Sequence, residues 1–116
     1  MKKKIICFDL DNTLCITKNS DYKNSIPIKK NISYVNELFD QGYYIIIFTA
    51  RFMGKFSGNC KMVKKFGYNF TKKQLETWGL NYNKLEMCKP SYDLIIDDKS
   101  VNFKKNWIKL LKQKLI

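Results

Sequence analysis

Two aspartates two residues apart, Asp9 and Asp11, directly follow the apolar run Ile5–Phe8 near the start of the chain. If this run is a parallel strand, both carboxylates lie beyond its carboxyl end, in the crevice where open α/β folds bind ligands. One carboxylate can then act as a nucleophile or metal ligand while the other transfers protons. The pattern is also compatible with a polar turn after a strand, so these two residues alone do not establish a catalytic site.

Polar side chains follow the other predicted strands as well. They are Thr49 and Arg51 after a strand at residues 43–48, Lys89 after residues 84–88, and Asp97 with Asp98 after residues 92–96. Because right-handed crossovers place the carboxyl ends of parallel strands at one edge of a sheet, all of these groups are expected to meet Asp9 and Asp11 there. A purely structural protein has no need of this convergence, so the positions alone favour a catalytic or ligand-binding site.

Helical patterns alternate with the strands. The apolar spacing predicts helices at residues 31–41, 60–66, 71–78 and 102–115, and irregular chain at residues 15–30 and 52–59. With a first strand at residues 3–8, this order predicts an α/β fold: a Rossmann-like three-layer sandwich with a parallel central sheet and helices on both faces. At 116 residues the chain is expected to form one domain, residues 1–116.

The composition argues against several classes of chemistry. The chain has four cysteines, no C-x-x-C pair and no histidine, which disfavours a zinc site, a disulfide scaffold and any histidine-dependent catalysis. Catalysis would therefore rest on carboxylates, lysine and a metal ion. No apolar run approaches the roughly 20 residues of a membrane span, and the apolar stretch before Asp9 is too short for a signal peptide. A cytoplasmic protein without a membrane partner is expected.

The formal net charge of +12 raises the question of a nucleic-acid partner. The lysines are spread along the whole chain in short pairs and form neither a block nor a stripe. This distribution favours lysine-rich usage on a solvated surface, so a small phosphorylated partner is expected and a nucleic acid is not. The charge would attract phosphorylated compounds in either case.

Three acids, a lysine and a hydroxyl around one crevice suit phosphoryl transfer. Mg²⁺ prefers oxygen ligands and would reduce the repulsion between an attacking carboxylate and a phosphate. Asp9 and Asp97 are the expected ligand pair, with a backbone carbonyl near Asp11. Lys89 would neutralise charge on the transferring group, while the Thr49 hydroxyl and nearby loop N–H groups would hydrogen-bond its oxygens. Asp11 could protonate the leaving alkoxide and then activate the water that cleaves an aspartyl phosphate.

Each assignment has a plainer alternative. Thr49 could merely cap a turn, and Lys89 could be one more surface lysine. Asp97 and Asp98 could form an ordinary strand-to-loop turn. Arg51 is the one arginine beside 21 lysines, and its planar fork suits bidentate binding of a substrate phosphate or carboxylate. Substrate contact is the favoured role for Arg51, and a structural ion pair is the alternative.

In this order and spacing the residues resemble the four motifs of the haloacid dehalogenase superfamily of phosphatases. The matching residues are Asp9-Leu10-Asp11-Asn12-Thr13-Leu14, Ile45-Ile46-Ile47-Phe48-Thr49, Lys89, and Leu94-Ile95-Ile96-Asp97-Asp98. The resemblance implies that Asp9 is the nucleophile and Asp11 the general acid and base. The further roles it implies are Mg²⁺ ligation by Asp9, Asp11 and Asp97 and phosphate binding by Leu10, Thr49, Ala50, Arg51 and Lys89, with Asp98 and Thr13 close by.

A looser resemblance links the chain to small phosphatases of bacterial capsule polysaccharide biosynthesis. It rests on Thr49-Ala50-Arg51 followed in order by Met53, Trp78, Tyr82, Lys89-Pro90 and Asp97-Asp98. Asn12 and Cys88 stand where glycine is common in such proteins, and Lys99 stands where arginine is common. The implied reaction is hydrolysis of a small phosphomonoester, such as a sugar phosphate or the phosphate of a small alcohol or amino alcohol, on a route to a surface glycan.

Larger members of the superfamily insert a cap domain after the first or the second motif. Here residues 15–30 and 52–59 are too few for one, which predicts a capless enzyme with an open site unless a second subunit of a homo-oligomer covers it. An open site would also admit a macromolecule, so a polynucleotide or protein phosphatase is the nearest alternative. A non-catalytic binding module on the same fold is the third reading, and the complete set of predicted catalytic residues argues against it.

Overall fold

The structure, a computed structural model, describes residues 3–116. In chain order the strands are β1 (Ile5–Phe8), β2 (Cys15–Ile16), β3 (Ile26–Pro27), β4 (Tyr44–Phe48) and β5 (Lys84–Glu86). The helices are α1 (Lys29–Asp40), α2 (Cys60–Thr77) and α3 (Trp107–Lys114), with a short 3-10 turn at Tyr22–Asn24. None of the helices among the described residues combines the length and apolarity needed to cross a membrane.

The main sheet is parallel, has the order β1-β4-β5, and aligns the carboxyl ends of its three strands. Phe8 of β1 lies opposite Ile47 of β4, and Phe48 of β4 lies opposite Glu86 of β5. Ile45 and Ile47 are fully buried and, being two residues apart, point to the same face of the sheet. The predicted Rossmann-like α/β fold with a parallel sheet is therefore confirmed.

One hydrophobic core joins the three helices to this sheet. The buried apolar side chains of the helices include Val35, Leu38, Val63, Leu75 and Leu111. Trp107, at the start of α3, packs edge-on against Phe8 and Tyr34, with ring centroids 6.1 and 5.8 Å apart. Edge-to-face aromatic pairs at such distances add to the stabilisation that burial alone provides, so α3 is tied to both β1 and α1.

Residues 15–28, predicted to be irregular, form an ordered strap over the end of β1. Cys15 pairs with Pro27 and Ile16 with Ile26, which makes β2 and β3 an antiparallel hairpin. The strap is joined to its surroundings where Ile28 N donates to Leu14 O at 2.9 Å.

The second helix is longer than the sequence predicts. The prediction places two helices at residues 60–66 and 71–78, whereas α2 continues through Gly67 without a break. Gly67 is buried, and a Cβ built there would lie 2.5 Å from Cδ2 of Phe52. This glycine therefore permits Phe52 to pack closely on the helix and does not end it. Asn59 caps the start of α2, where its side chain accepts a hydrogen bond from Met62 N at 3.2 Å.

Residues 92–96 do not form the predicted fourth strand. Within the described residues the parallel sheet ends at β1, and the side chains of Leu94 and Ile96 are 81% and 95% exposed. The chain turns directly after this run, because Asp97 Oδ1 accepts a hydrogen bond from Lys99 N at 2.8 Å. Such local side-chain bonds compete with strand pairing. The closing helix also starts late, at Trp107 and not at residue 102.

Candidate active site

Three strand ends bring predicted catalytic residues together at one edge of the sheet. Asp9 follows β1 directly, Thr49 follows β4, and Lys89 follows β5 after a short turn. Thr49 N donates to Glu86 O at 3.0 Å, and Lys89 N donates to Thr49 O at 3.1 Å. The backbone pairing of β4 with the chain after β5 thus continues up to the site and brings Lys89 within reach of Asp9.

Asp9 is held on both of its carboxylate oxygens and is still accessible. Lys89 Nζ donates to Oδ1 at 3.2 Å, and Thr13 Oγ1 donates to Oδ2 at 3.0 Å. Thr13 is itself fixed in a tight turn, where its N–H donates to Leu10 O at 3.2 Å. The Asp9 side chain is 38% exposed and that of Lys89 is 14% exposed. Asp9 is therefore oriented by its neighbours and open to an approaching ligand.

Lys89 is maintained as a cation by its surroundings. Burial acts to lower the pKa of Lys89, but the Tyr92 side chain and the Asp9 carboxylate outweigh it, so the pKa lies above its usual value. The ammonium group also lies over the Tyr92 ring, 5.3 Å from its centre. A lysine charged across the neutral pH range can neutralise an anion beside Asp9.

Asp11 forms an ion pair with the one arginine of the chain. Arg51 Nε donates to both Asp11 oxygens, at 3.1 and 3.0 Å, and Nη2 donates to Oδ1 at 2.9 Å. The hydroxyl of Thr17, in the strap, donates to the same Oδ1 at 2.6 Å. The Asp11 side chain is 20% exposed and that of Arg51 is not exposed at all. Asp11 is thus more enclosed than Asp9, with one side open.

The remaining contacts of Arg51 join the strap to α2. Nη1 donates to Gln74 Oε1 at 2.6 Å, and Nη2 donates to Ser25 Oγ at 3.3 Å. The guanidinium lies 4.9 Å from the centre of the Tyr22 ring, and Gln74 Nε2 donates to Tyr22 O at 2.7 Å. The structure therefore has Arg51 in the structural ion pair. The guanidinium is enclosed by protein groups, which differs from the favoured prediction that it contacts substrate directly.

Thr49 is buried, and its hydroxyl group caps the turn that follows it. Its Oγ1 accepts a hydrogen bond from Arg51 N at 3.2 Å, the arrangement expected of a turn-capping threonine. An accepting hydroxyl keeps its O–H for a second acceptor, so this contact is compatible with the predicted phosphate contact. Leu10 is fully buried in the core, and Ala50 is half-buried beside the site; a contact from either to phosphate would involve the backbone.

Asn12 and Cys88 have left-handed backbone conformations, which are uncommon for residues other than glycine. The φ angles are +64° at Asn12 and +71° at Cys88, values that side chains other than glycine and asparagine adopt with strain. Asn12 also accepts a hydrogen bond from Thr17 N at 3.1 Å. The turn after Asp11 and the turn before Lys89 therefore require the conformation that glycine adopts most easily.

Asp97 does not join Asp9 and Asp11, which corrects the predicted metal site. Asp97 and Asp98 both lie in the exposed chain after residues 92–96, and Asp97 is engaged by Lys99 N in its own turn. Among residues 3–116 no group of three or more cysteine, aspartate and glutamate side chains is arranged to hold a metal ion. Asp9 and Asp11 are then the carboxylates of the predicted set that remain together, and Mg²⁺ typically takes only one or two carboxylates from a protein.

The residues that hold Arg51 in place are not apparent from the sequence. They are Tyr22, Ser25 and Gln74, together with Thr17 on Asp11. The available signal was the arginine itself, because a buried guanidinium with five donors requires several acceptors. Which residues supply them depends on how the strap and α2 meet, and no local pattern in the sequence specifies that.

The fold is similar to those of solved structures, while neither a family model nor a curated protein matches the sequence. A crystal structure of an MCSG target from Vibrio cholerae is 27% identical, with a TM-score of 0.79 over 97% of this chain and 98% of that one. This likeness extends over essentially the whole of both chains.

Two structures that contain Pnkp1, Rnl and Hen1, one of them called an RNA repair complex, are also similar. They are 20% and 17% identical, with TM-scores of 0.56 and 0.55. Each match covers 99% of this chain but 35% and 32% of the other chain, so this protein spans about a third of their length. At this identity the likeness concerns the fold alone. It agrees with the α/β fold that the sequence predicts.

Proposed function

We propose that this protein is a magnesium-dependent phosphatase that hydrolyses a small phosphomonoester through an aspartyl-phosphate intermediate. The observation that carries the proposal is the contact of Asp9 with Lys89, 3.2 Å between Oδ1 and Nζ, at the carboxyl ends of parallel strands. A half-exposed carboxylate beside a cation, with a second carboxylate two residues later, suits attack on phosphorus. The same arrangement has no obvious purpose in a structural protein.

The chain's own residues can divide the two chemical steps. Asp9 attacks phosphorus, and the bond from phosphorus to the alkoxide oxygen breaks as Asp11 gives that oxygen a proton. Asp11 then takes a proton from a water whose oxygen attacks the same phosphorus, which releases phosphate and restores Asp9. Lys89 reduces the negative charge on the transferring group in both steps. No step requires Asp97.

Magnesium belongs to the proposal as the expected cofactor. Asp9 and Asp11 supply the hard oxygen donors that Mg²⁺ prefers, and the ion typically takes only one or two carboxylates together with water and phosphate. When bound, it would supply charge neutralisation at the phosphate. The test for it is loss of activity in EDTA and recovery on addition of Mg²⁺.

The proposed substrate is a sugar phosphate or the phosphate of a small alcohol or amino alcohol, used in the synthesis of a capsule polysaccharide or related surface glycan. The support is the order of residues from Thr49 to Asp98 that resembles small phosphatases of that process. The proposed setting is the cytoplasm. A second copy of the chain is proposed to cover the site, because no cap domain does so among residues 3–116.

Phosphate release from a panel of compounds tests this function. The panel holds sugar, polyol and amino-alcohol phosphates and a 3′-phosphorylated oligonucleotide, each with Mg²⁺ and with EDTA. We expect Mg²⁺-dependent release from at least one small compound and none from Asp9→Asn, because an amide cannot attack phosphorus.

The matched control is Asp40→Asn, the same change at an exposed position at the end of α1, which should retain full activity. Circular dichroism of both variants checks that the fold is intact. An active, folded Asp9→Asn would remove Asp9 as the nucleophile. A wild-type protein that releases phosphate from nothing in the panel would favour the binding module.

A polynucleotide phosphatase is the second candidate, and one surface feature favours it. A groove of about 580 Å³ lies between α2 and β5, and its lining includes Lys64, Lys65 and Lys84. Glu86 and Met87 also line it, so the groove ends close in sequence to Lys89. Several phosphate contacts there would make oligonucleotide binding weaken steeply with salt. Release only from the oligonucleotide, with such a salt dependence, would select this candidate.

A further inference from the structure

The two oxygens of the Asp11 carboxylate have very different surroundings. Oδ1 receives hydrogen bonds from Arg51 Nε and Nη2 and from Thr17 Oγ1, and the Cys15 thiol lies 3.5 Å away. Oδ2 has a single donor, Arg51 Nε at 3.0 Å. A carboxylate oxygen offers about two lone-pair positions. Oδ1 is therefore saturated, whereas Oδ2 keeps a free position for a proton.

Arg51 fixes this difference because it cannot turn. Its side chain has no exposed surface, and its guanidinium is planar, with its donors in a rigid fork. Gln74 Oε1 holds Nη1 at 2.6 Å, and the Tyr22 ring lies against the guanidinium at 4.9 Å. Rotation of the Asp11 carboxylate would break hydrogen bonds to both Arg51 and Thr17. The same carboxylate oxygen, Oδ2, therefore always keeps the free lone-pair position.

We propose that Arg51 is a positioning residue for proton transfer: it orients Asp11 so that Oδ2 is the oxygen that gives a proton to the leaving alkoxide and later takes one from water. Gln74 supports this role by fixing Arg51. The inference rests on the proposed function, since it concerns the acid and base of that reaction. It assigns Arg51 no contact with substrate.

Two substrates whose leaving groups differ in their need for a proton distinguish this role from a general structural one. The alkoxide of glycerol phosphate is strongly basic and requires a proton to leave, whereas para-nitrophenolate is weakly basic and leaves without one. The ratio kcat/KM reports the steps up to departure of the first product. The value of kcat/KM therefore depends strongly on the proton donor for glycerol phosphate and only weakly for para-nitrophenyl phosphate.

The experiment compares wild type with Arg51→Lys, which keeps the positive charge but not the fork. We expect kcat/KM for glycerol phosphate to fall about 10- to 100-fold, the usual range for a displaced general acid. For para-nitrophenyl phosphate it should change by less than about threefold. In an Asp11→Asn background, Arg51→Lys should have no further effect on glycerol phosphate, because residues that act as a unit are not additive.

Equal losses on the two substrates, or full additivity with Asp11→Asn, would overturn the inference and leave the phosphatase function intact. A wild-type enzyme that cleaves neither these two substrates nor any compound of the panel would instead overturn the proposed function and the inference with it. If Arg51→Lys does not fold, Gln74→Met provides the test, because it removes one anchor of Arg51 and leaves the ion pair in place. Its loss should be smaller, about three- to tenfold, with the same preference for glycerol phosphate. A folded Gln74→Met without that preference would contradict the role of Arg51.

Discussion

At the scale of single residues, the candidate site contains two ion pairs with different accessibility. Lys89 and Asp9 are partly open to solvent, and such pairs contribute little stability, so a competing anion can separate them easily. Arg51 is fully enclosed, and removing one partner of a buried pair costs about 3–5 kcal/mol. A phosphate that arrives at Asp9 can therefore take over Lys89, while Arg51 remains on Asp11.

The thiol of Cys88, next to Lys89, should be unreactive at neutral pH. Burial, together with the neighbouring Cys60 thiol, raises the pKa of Cys88 from 9.0 to about 11. Because the thiolate is the nucleophile, we expect alkylation of Cys88 by iodoacetamide to stay slow at pH 8 and to rise as the pH approaches 11. Mass spectrometry of proteolytic fragments measures the modified fraction at each pH.

The control for this prediction is the same titration in urea, where the Cys88 midpoint should return to about 9. The raised pKa also affects folding: the thiol form stabilises the fold below pH 9, and this contribution is lost as the pH rises from 9 to 11. Rapid alkylation of Cys88 at pH 8 in the native protein would contradict the raised pKa of its thiol.

The residue types near the site were largely predictable, and their environments were not. Asp9 and Lys89 could be placed together because both follow parallel strands, and strand order brings such ends to one edge. Arg51 could be singled out as unusual, but its enclosure depends on Gln74, which a distant helix supplies. Asp97 was expected at the same edge of the sheet, but its position depended on a strand that does not form.

At the scale of elements, α2 depends on a glycine for its fit against the loop at residues 52–59. The ring of Phe52 lies against Gly67, where a Cβ would be 2.5 Å from Cδ2. Phe52 also contacts the Tyr22 ring of the strap, with centroids 4.9 Å apart. One aromatic side chain thus links the helix, the strap and the loop that follows Arg51.

Gly67→Ala should destabilise the protein, although alanine is normally the better helix former by up to about 1 kcal/mol. The added methyl group would force Phe52 to shift, and overpacking of this kind typically costs about 1–3 kcal/mol. The free energy of unfolding in urea measures the sum of the two effects.

Gly54→Ala is the matched control, because nothing lies within 4 Å of a Cβ at Gly54. It should change stability by no more than about 0.5 kcal/mol. A Gly67→Ala protein more stable than wild type would mean that Phe52 does not pack on α2.

At the scale of the whole molecule, the core is formed by residues of the elements up to β5 and of α3, whereas residues 92–96, which lie between them in the chain, are exposed. Ile96 is 95% exposed, whereas Ile47 in the central strand is fully buried. The sequence pattern does not distinguish these two residues, because both lie in short apolar runs that precede polar groups. The difference arises from which partners the rest of the fold supplies, which explains why the predicted fourth strand was wrong while the other three were found.

Ile96→Ala and Ile47→Ala should therefore have different consequences for stability. Ile47→Ala creates a cavity in the core and should cost about 2–5 kcal/mol. Ile96→Ala removes no packed contact and should cost no more than about 0.5 kcal/mol. Urea unfolding of both variants measures the difference, and a loss above about 2 kcal/mol for Ile96→Ala would show that residues 92–96 are buried in solution.

The two ion pairs also limit how early the site can form while the chain is being synthesised. They close segments of 40 residues between Asp11 and Arg51 and of 80 residues between Asp9 and Lys89. Closing long segments costs entropy, so contacts of this kind form late and slow the folding of proteins that depend on them. A nascent chain therefore cannot assemble this edge of the sheet until β5 and Lys89 have left the ribosome. Until then Asp9 and Asp11 are exposed to the cell without Lys89 beside them.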